Sequence, residues 1–121
     1  MAKVEVLKNQ LESLQSAVPE LKGVLLASNE GLPIAHSFTN GTDPNSVAAL
    51  AAAVSGLGRK VTDKLNTGTL GEVSVQSAGG AMFVYSAGSK AILAVLTPEG
   101  ANAGLIHMEA RQTAKDIGEL F

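Results

Sequence analysis

The sequence predicts one α+β domain with its elements in the order αββαβββα and a five-stranded antiparallel sheet. Three observations predict it. Apolar residues recur every three or four positions at both ends and in the middle of the chain, and they alternate or run continuously in between. The strand segments are joined largely by tight turns rich in Gly and Asn, which suit antiparallel neighbours. The 121 residues contain no repeat and no linker, so residues 1–121 are expected to form a single domain around one core.

Val4, Leu7, Leu11, Leu14 and Val18 make the apolar stripe of a first helix. Pro19 ends it, because the residue before a proline is pushed out of helical geometry. Residues 21–28 are almost continuously apolar, as in a strand buried on both faces. Asn29-Glu30-Gly31 is a tight turn into a second strand, residues 32–38. Pro33 cannot donate to a ladder, which puts that strand at an edge.

Asp43 and Pro44 signal the start of a second helix, as cap and first helical residue, and it runs to about Leu65. Its expected core stripe is Val47, Leu50, Val54, Leu57 and Val61. Its other faces, however, carry Ala48, Ala49, Ala51, Ala52, Ala53, Ser55, Gly56 and Gly58, and no residue from 46 to 58 is charged. A helix apolar all round is expected to be buried all round.

Glu72 to Ser77 alternates cleanly, as in an edge strand, and Gly79-Gly80 makes a hairpin turn. Residues 81–86 and 91–96 are apolar on both faces and belong in the sheet centre. Asn102 caps a last helix whose inward stripe is Ile106, Ala110, Thr113, Ile117 and Leu120. Three helices cannot cover two sheet faces equally. If the terminal helices share one face, the middle helix leaves apolar strand surface bare on the other.

Composition narrows the function. A net charge of -2 offers no basic footprint for nucleic acid or for a membrane surface. The absence of cysteine excludes disulfides, thiol nucleophiles and thiolate metal sites. The first residues show no signal-peptide pattern and no apolar run is long enough to span a bilayer, so a soluble cytoplasmic protein is expected. There is no Walker A spacing and no nucleophile elbow. The two histidines lack a third ligand at metal-binding spacing, so no metal and no cofactor is expected. His36 is read as pointing with Ile34 and Phe38, and His107 as a packing or surface residue of the last helix. Asn40-Gly41-Thr42 matches a glycosylation sequon but reads as loop.

What remains is the uncharged middle helix. With 45% hydrophobic residues, only 17% charged and a mean hydropathy of +0.21, part of the surface is expected to lie in an oligomer. Small residues let two such helices approach closely. Val47, Ala49, Ala52, Ala53 and Gly56 of that helix, with Val73 and Val75 of the alternating strand, are the candidate contacts of a homodimer.

The chain resembles the roadblock (dynein light chain) family. The resemblance rests on residues 23–35, GVLLASNEGLPIA, on the Ala-rich helix from Val47 to Gly58, and on residues 91–98, AILAVLTP, running into Gly104-Leu105-Ile106. It implies a sheet with the middle helix on one face and the terminal helices on the other. It also implies a dimer built through the middle helix and the third strand. Its MglB-like, stand-alone members imply a non-enzymatic regulator or scaffold that binds a Ras-like small GTPase and modulates its nucleotide cycle or localisation, without a catalytic arginine. Arg59 and Arg111, the only arginines, both fall on expected helices. Arg59, Lys60, Asp63 and Lys64 at the helix end are the candidate partner contacts. Two other readings stay open: an adaptor subunit of a motor or signalling complex, and a small-molecule sensor. The second would need polar groups converging in a pocket, and only His36 and Tyr85 suggest any.

Overall fold

The computed structural model describes residues 2–39 and 41–121; Asn40 of the sequon lies outside them. The elements are α1 (Ala2–Ala17), β1 (Gly23–Ser28), β2 (Pro33–Phe38), α2 (Pro44–Leu65), β3 (Glu72–Ser77), β4 (Gly80–Ala87), β5 (Ala91–Pro98) and α3 (Ala103–Gly118). The strands form one sheet in the order β2-β1-β5-β4-β3, with every neighbouring pair antiparallel. The three strands with apolar residues on both faces are the central ones. The strand with Pro33 and the alternating strand are the edges.

Alternation within each strand divides its side chains between two cores. Val24, Leu26, Phe83, Tyr85, Leu93 and Val95 meet Leu7, Leu11, Leu14 and Val18 of α1 and its C-terminal end, and Ile106, Ala110 and Ile117 of α3. Leu25, Ala27, Val84, Ile92 and Ala94 point the other way, onto Val47, Ala48 and Ala51 of α2. The terminal helices thus share one face and α2 holds the other alone. Gly118 lets α3 end against the β4–β5 turn: a Cβ there would stand 2.6 Å from the Gly88 nitrogen.

Asp43 caps α2, its carboxylate accepting from the Asn45 amide at 3.0 Å, and Asn66 closes the helix in the left-handed region. Asn102 caps α3 by accepting from the Leu105 amide at 3.1 Å.

Four expectations need correction. Val4 is exposed rather than part of the α1 stripe, because α1 reaches the core only from Leu7 onward. Leu120 lies beyond the end of α3 and is exposed. The register slips between Leu26 and Ala27, which leaves Ile34 beside Ala35 at the α1–α3 core. His36 therefore parts from Ile34; it is exposed and stacks on Phe38 at 5.3 Å between ring centres. The fourth correction is the orientation of α2.

Candidate functional site

α2 turns its small residues inward. Ala48, Ala51, Ser55 and Gly58, with Val47 at the start, are its buried residues. Of the expected stripe only Val47 is buried; Val54 is half-buried, while Leu50, Leu57 and Val61 are exposed. The cause is close approach at both ends of the helix. The β1–β2 turn comes so near that a Cβ on Gly31 would lie 3.3 Å from Ala52 Cβ and 3.4 Å from Ala49 Cα. A Cβ on Gly58 would lie 3.0 Å from the Leu70 side chain and 3.5 Å from Val73 Cβ. Leucines could not occupy that inner face, so they turn outward.

The outcome is an apolar stripe on a rigid helix. Leu50, Val54, Leu57, Val61 and Leu65 recur at spacings of four and three, so they share one side of a rod about 33 Å long. Leu57 and Leu65 are each 65% exposed and Leu50 is 60% exposed. The stripe borders bare sheet. Leu50, Val54, Val75, Met82 and Leu96 line an open apolar groove of about 520 Å³, with Lys22 at its border. Next to the groove, β3 pairs among the described residues only with β4, which leaves its other edge open there. Ser74 to Ser77 are exposed. A long exposed strand edge beside an exposed apolar stripe is a pairing surface.

The candidate residues named from sequence are distributed around this surface. Val47 is buried in its own core, and Ala52 is half-buried against the β1–β2 turn. Ala49 and Ala53 are exposed on α2, Gly56 is half-buried, Val73 packs beneath the helix and Val75 is half exposed. Arg59 donates to the buried Ser55 hydroxyl at 2.9 Å, which satisfies that polar group inside the apolar layer. Arg59 and Asp63 line a second shallow groove with Thr62, Asn66 and Leu70, while Lys60 and Lys64 are exposed on the same two turns.

The other face holds a polar cluster that sequence reading did not assemble. Glu72, first in β3, pairs across the ladder with Tyr85. Arg111 grips its carboxylate with two hydrogen bonds, of 2.7 and 2.9 Å. His107 lies one turn before Arg111, its Nδ1 2.7 Å from the Tyr85 hydroxyl and 3.3 Å from Glu72 Oε2. The Arg111 hydrogen bonds hold the Glu72 carboxyl below the usual carboxylate range. Burial, then the Glu72 charge, pushes the Tyr85 phenol well above its ordinary value. The groups partner one another. Among the described residues no group of His, Asp and Glu is arranged to hold a metal ion, and no helix is long and apolar enough to cross a membrane.

Comparison with known proteins agrees with this architecture. Two relatives from Methanocaldococcus jannaschii, the uncharacterized proteins MJ1340 and MJ0310, are each 30% identical over 101 residues, 84% of this chain and 88% of theirs. A Roadblock/LC7 domain structure from Streptomyces avermitilis superposes with a TM-score of 0.84 at 27% identity, over 91% of this chain and 92% of that one. A structure described as MglB with tetrameric arrangement gives 0.91 at 19% identity, over 99% and 90%. The gliding protein mglB of Thermus thermophilus gives 0.90 at 18% identity, over 99% and 91%. Residues 7–97 match the Roadblock/LC7 domain, and the chain belongs to the Roadblock/LC7 family.

Proposed function

We propose that the protein is a non-enzymatic homodimeric platform, working in the cytoplasm, that binds a Ras-like small GTPase and modulates its nucleotide cycle or placement. The observation that carries the dimer is the outward stripe Leu50, Val54, Leu57, Val61 and Leu65 beside the free edge of β3. A two-fold axis normal to the sheet at the middle of β3 pairs the two edges antiparallel and continues the sheet into the second copy. Any helix lying on the sheet maps onto its mate antiparallel under that axis, so the two stripes meet on one face. The last turns of each α2, beyond Gly58, then extend toward the bare groove of the other copy. In this arrangement Ala49, Ala53 and Gly56 stay on the outer surface of the paired helices, and the seam runs through the leucines and Val75.

The GTPase partner rests on the roadblock resemblance and on the likeness to MglB structures. The paired helices form one composite surface bordered by Arg59, Lys60, Asp63 and Lys64, which would orient a charged partner. Arg59 and Arg111 each hold a side-chain partner already, which fits a regulator that supplies no catalytic arginine. The test is a pulldown of small GTPases from the source cell, loaded with GDP or with a GTP analogue. Retention of one of them, weakened at least tenfold by Arg59→Glu with Lys60→Glu while the dimer persists, supports the reading. Binding and hydrolysis unchanged in that variant would displace the contact. No GTPase retained in either nucleotide state would favour the adaptor reading instead.

A further inference from the structure

Resting on the homodimeric reading, we infer that the two β3 edges pair in a single register, with Ser74 on the two-fold axis, and that the partner's Gln76 joins the Glu72–Arg111 cluster across the seam.

The backbone selects the register. The Ser86 amide donates to the Gly71 carbonyl at 3.1 Å, so Gly71 turns its polar groups toward β4. Direction alternates along an antiparallel strand. Val73 and Val75 therefore also bond to β4, while Glu72, Ser74 and Gln76 turn their amides and carbonyls to the open edge. A two-fold axis normal to the sheet keeps every side chain on its own face, so opposed residues must both be even-numbered or both odd-numbered. With the axis at Ser74, Glu72 faces the partner's Gln76, Ser74 faces its mate and Gln76 faces the partner's Glu72. Each such pair exchanges two hydrogen bonds, so every outward group of both edges is bonded. Moving the axis to Val73 or Val75 leaves one outward residue of each edge unmatched.

Side chains on both faces favour the same register. On the α2 face it sets Val73 against the partner's Val75. Val73 packs beneath α2 close to Gly58, whereas Val75 lines the apolar groove. The end of one helix is thereby aligned with the bare groove of the other copy. On the α3 face Glu72 keeps its two hydrogen bonds from Arg111, and an ionised carboxylate has acceptor positions left over. Gln76 is exposed and makes no side-chain hydrogen bond among the described residues. Placed directly across from Glu72, its amide donates to that carboxylate. Symmetry repeats the contact at the other end of the seam.

The chain has no cysteine, so introduced cysteines report the register by disulfide formation under mild oxidation. Ser74→Cys is expected to give a covalent dimer about tenfold faster than Val73→Cys or Val75→Cys alone, whose mates stand about 7–8 Å apart, beyond a disulfide's reach. An equimolar mixture of Val73→Cys and Val75→Cys is expected to cross-link across a pair about 4.5 Å apart, and it serves if Ser74→Cys fails to fold. Sedimentation of the reduced proteins records the dimer itself. A dimer in which Val73→Cys or Val75→Cys alone reacts fastest, or in which all three react alike, would overturn the register and leave the dimer standing. Reduced protein that sediments as a monomer at micromolar concentration would overturn both. Gln76→Ala is expected to weaken the dimer about fivefold, and to have no effect in a Glu72→Ala background, where its acceptor is gone. No loss, or an equal loss in both backgrounds, would remove Gln76 from the cluster.

Discussion

The two faces of the sheet solve opposite packing problems. Under α1 and α3 the large side chains point inward: Leu7, Leu11, Leu14, Ile106 and Ile117 are all but inaccessible, and the two helices close over Leu26, Leu93 and Val95. On the other face a single helix comes close to the sheet on alanine, serine and glycine, and its leucines face out. The first face is finished within one chain. The second buries Leu25, Val84 and Ile92 beneath α2 but leaves Leu50, Leu57, Val75 and the rim of an apolar groove in contact with water. Apolar surface on a rigid, regular scaffold marks where another molecule belongs.

Matched substitutions on the two faces should break this symmetry most visibly. Leu93→Ala removes a fully buried side chain from the closed core and is expected to cost about 2–5 kcal/mol in urea unfolding. Leu57→Gln keeps helix propensity and alters an exposed residue, so unfolding of the isolated protomer should change by no more than about 0.5 kcal/mol. A large loss for Leu57→Gln at concentrations where only monomer exists would mean that α2 is seated differently.

The closed face can be read by titration. The chain has one tyrosine and no tryptophan, so absorbance near 295 nm reports Tyr85 alone. Its phenol is raised by burial and then by Glu72. No tyrosinate should appear at about pH 10–11, where an exposed tyrosine ionises. The sign follows from the raised value: the neutral phenol contributes its full stability below the unfolded-state value and loses it as pH rises through the folded one. Ionisation should therefore accompany alkaline unfolding. A simple, reversible transition near pH 10 with the fold intact would show that Tyr85 is not sealed.

A smaller effect belongs to Glu72. Its carboxyl is lowered chiefly by the Arg111 hydrogen bonds, so its contribution is present above the unfolded-state value of about 4.5 and is lost as pH falls through the lower folded value. Comparing thermal midpoints at pH 7 and pH 3 should show a smaller acid-side drop for Glu72→Gln than for the wild type. Equal drops would mean that the Arg111 contact adds nothing in solution. The pair is exposed enough that only a modest difference is expected.

The fold was largely legible because the hydrophobic period changes where the elements change. Pro33 and the alternation of Glu72 to Ser77 marked the two edges for backbone reasons that hold in any context. The orientation of α2 was not legible, since that helix offers both a large and a small apolar stripe and periodicity alone favours the large one. The deciding facts were the close approaches at Gly31 and Gly58, which involve residues distant in the chain. The polar cluster was hidden for a similar reason: Arg111 and Glu72 are 39 residues apart and meet only because α3 packs on β4, the strand that pairs with β3. A local signal did exist, with His107 and Arg111 four apart on one helix face and Glu72 the sole carboxylate of its strand.

The central claim is that the open face is closed by a second copy. Sedimentation equilibrium at micromolar concentration, for the wild type and for Leu57→Glu with Val61→Glu, tests it directly. The wild type is expected at twice 12.3 kDa, and the double variant at 12.3 kDa with unchanged helix content. A wild type that sediments as a 12.3 kDa monomer, or a double variant that remains a dimer, would contradict the claim.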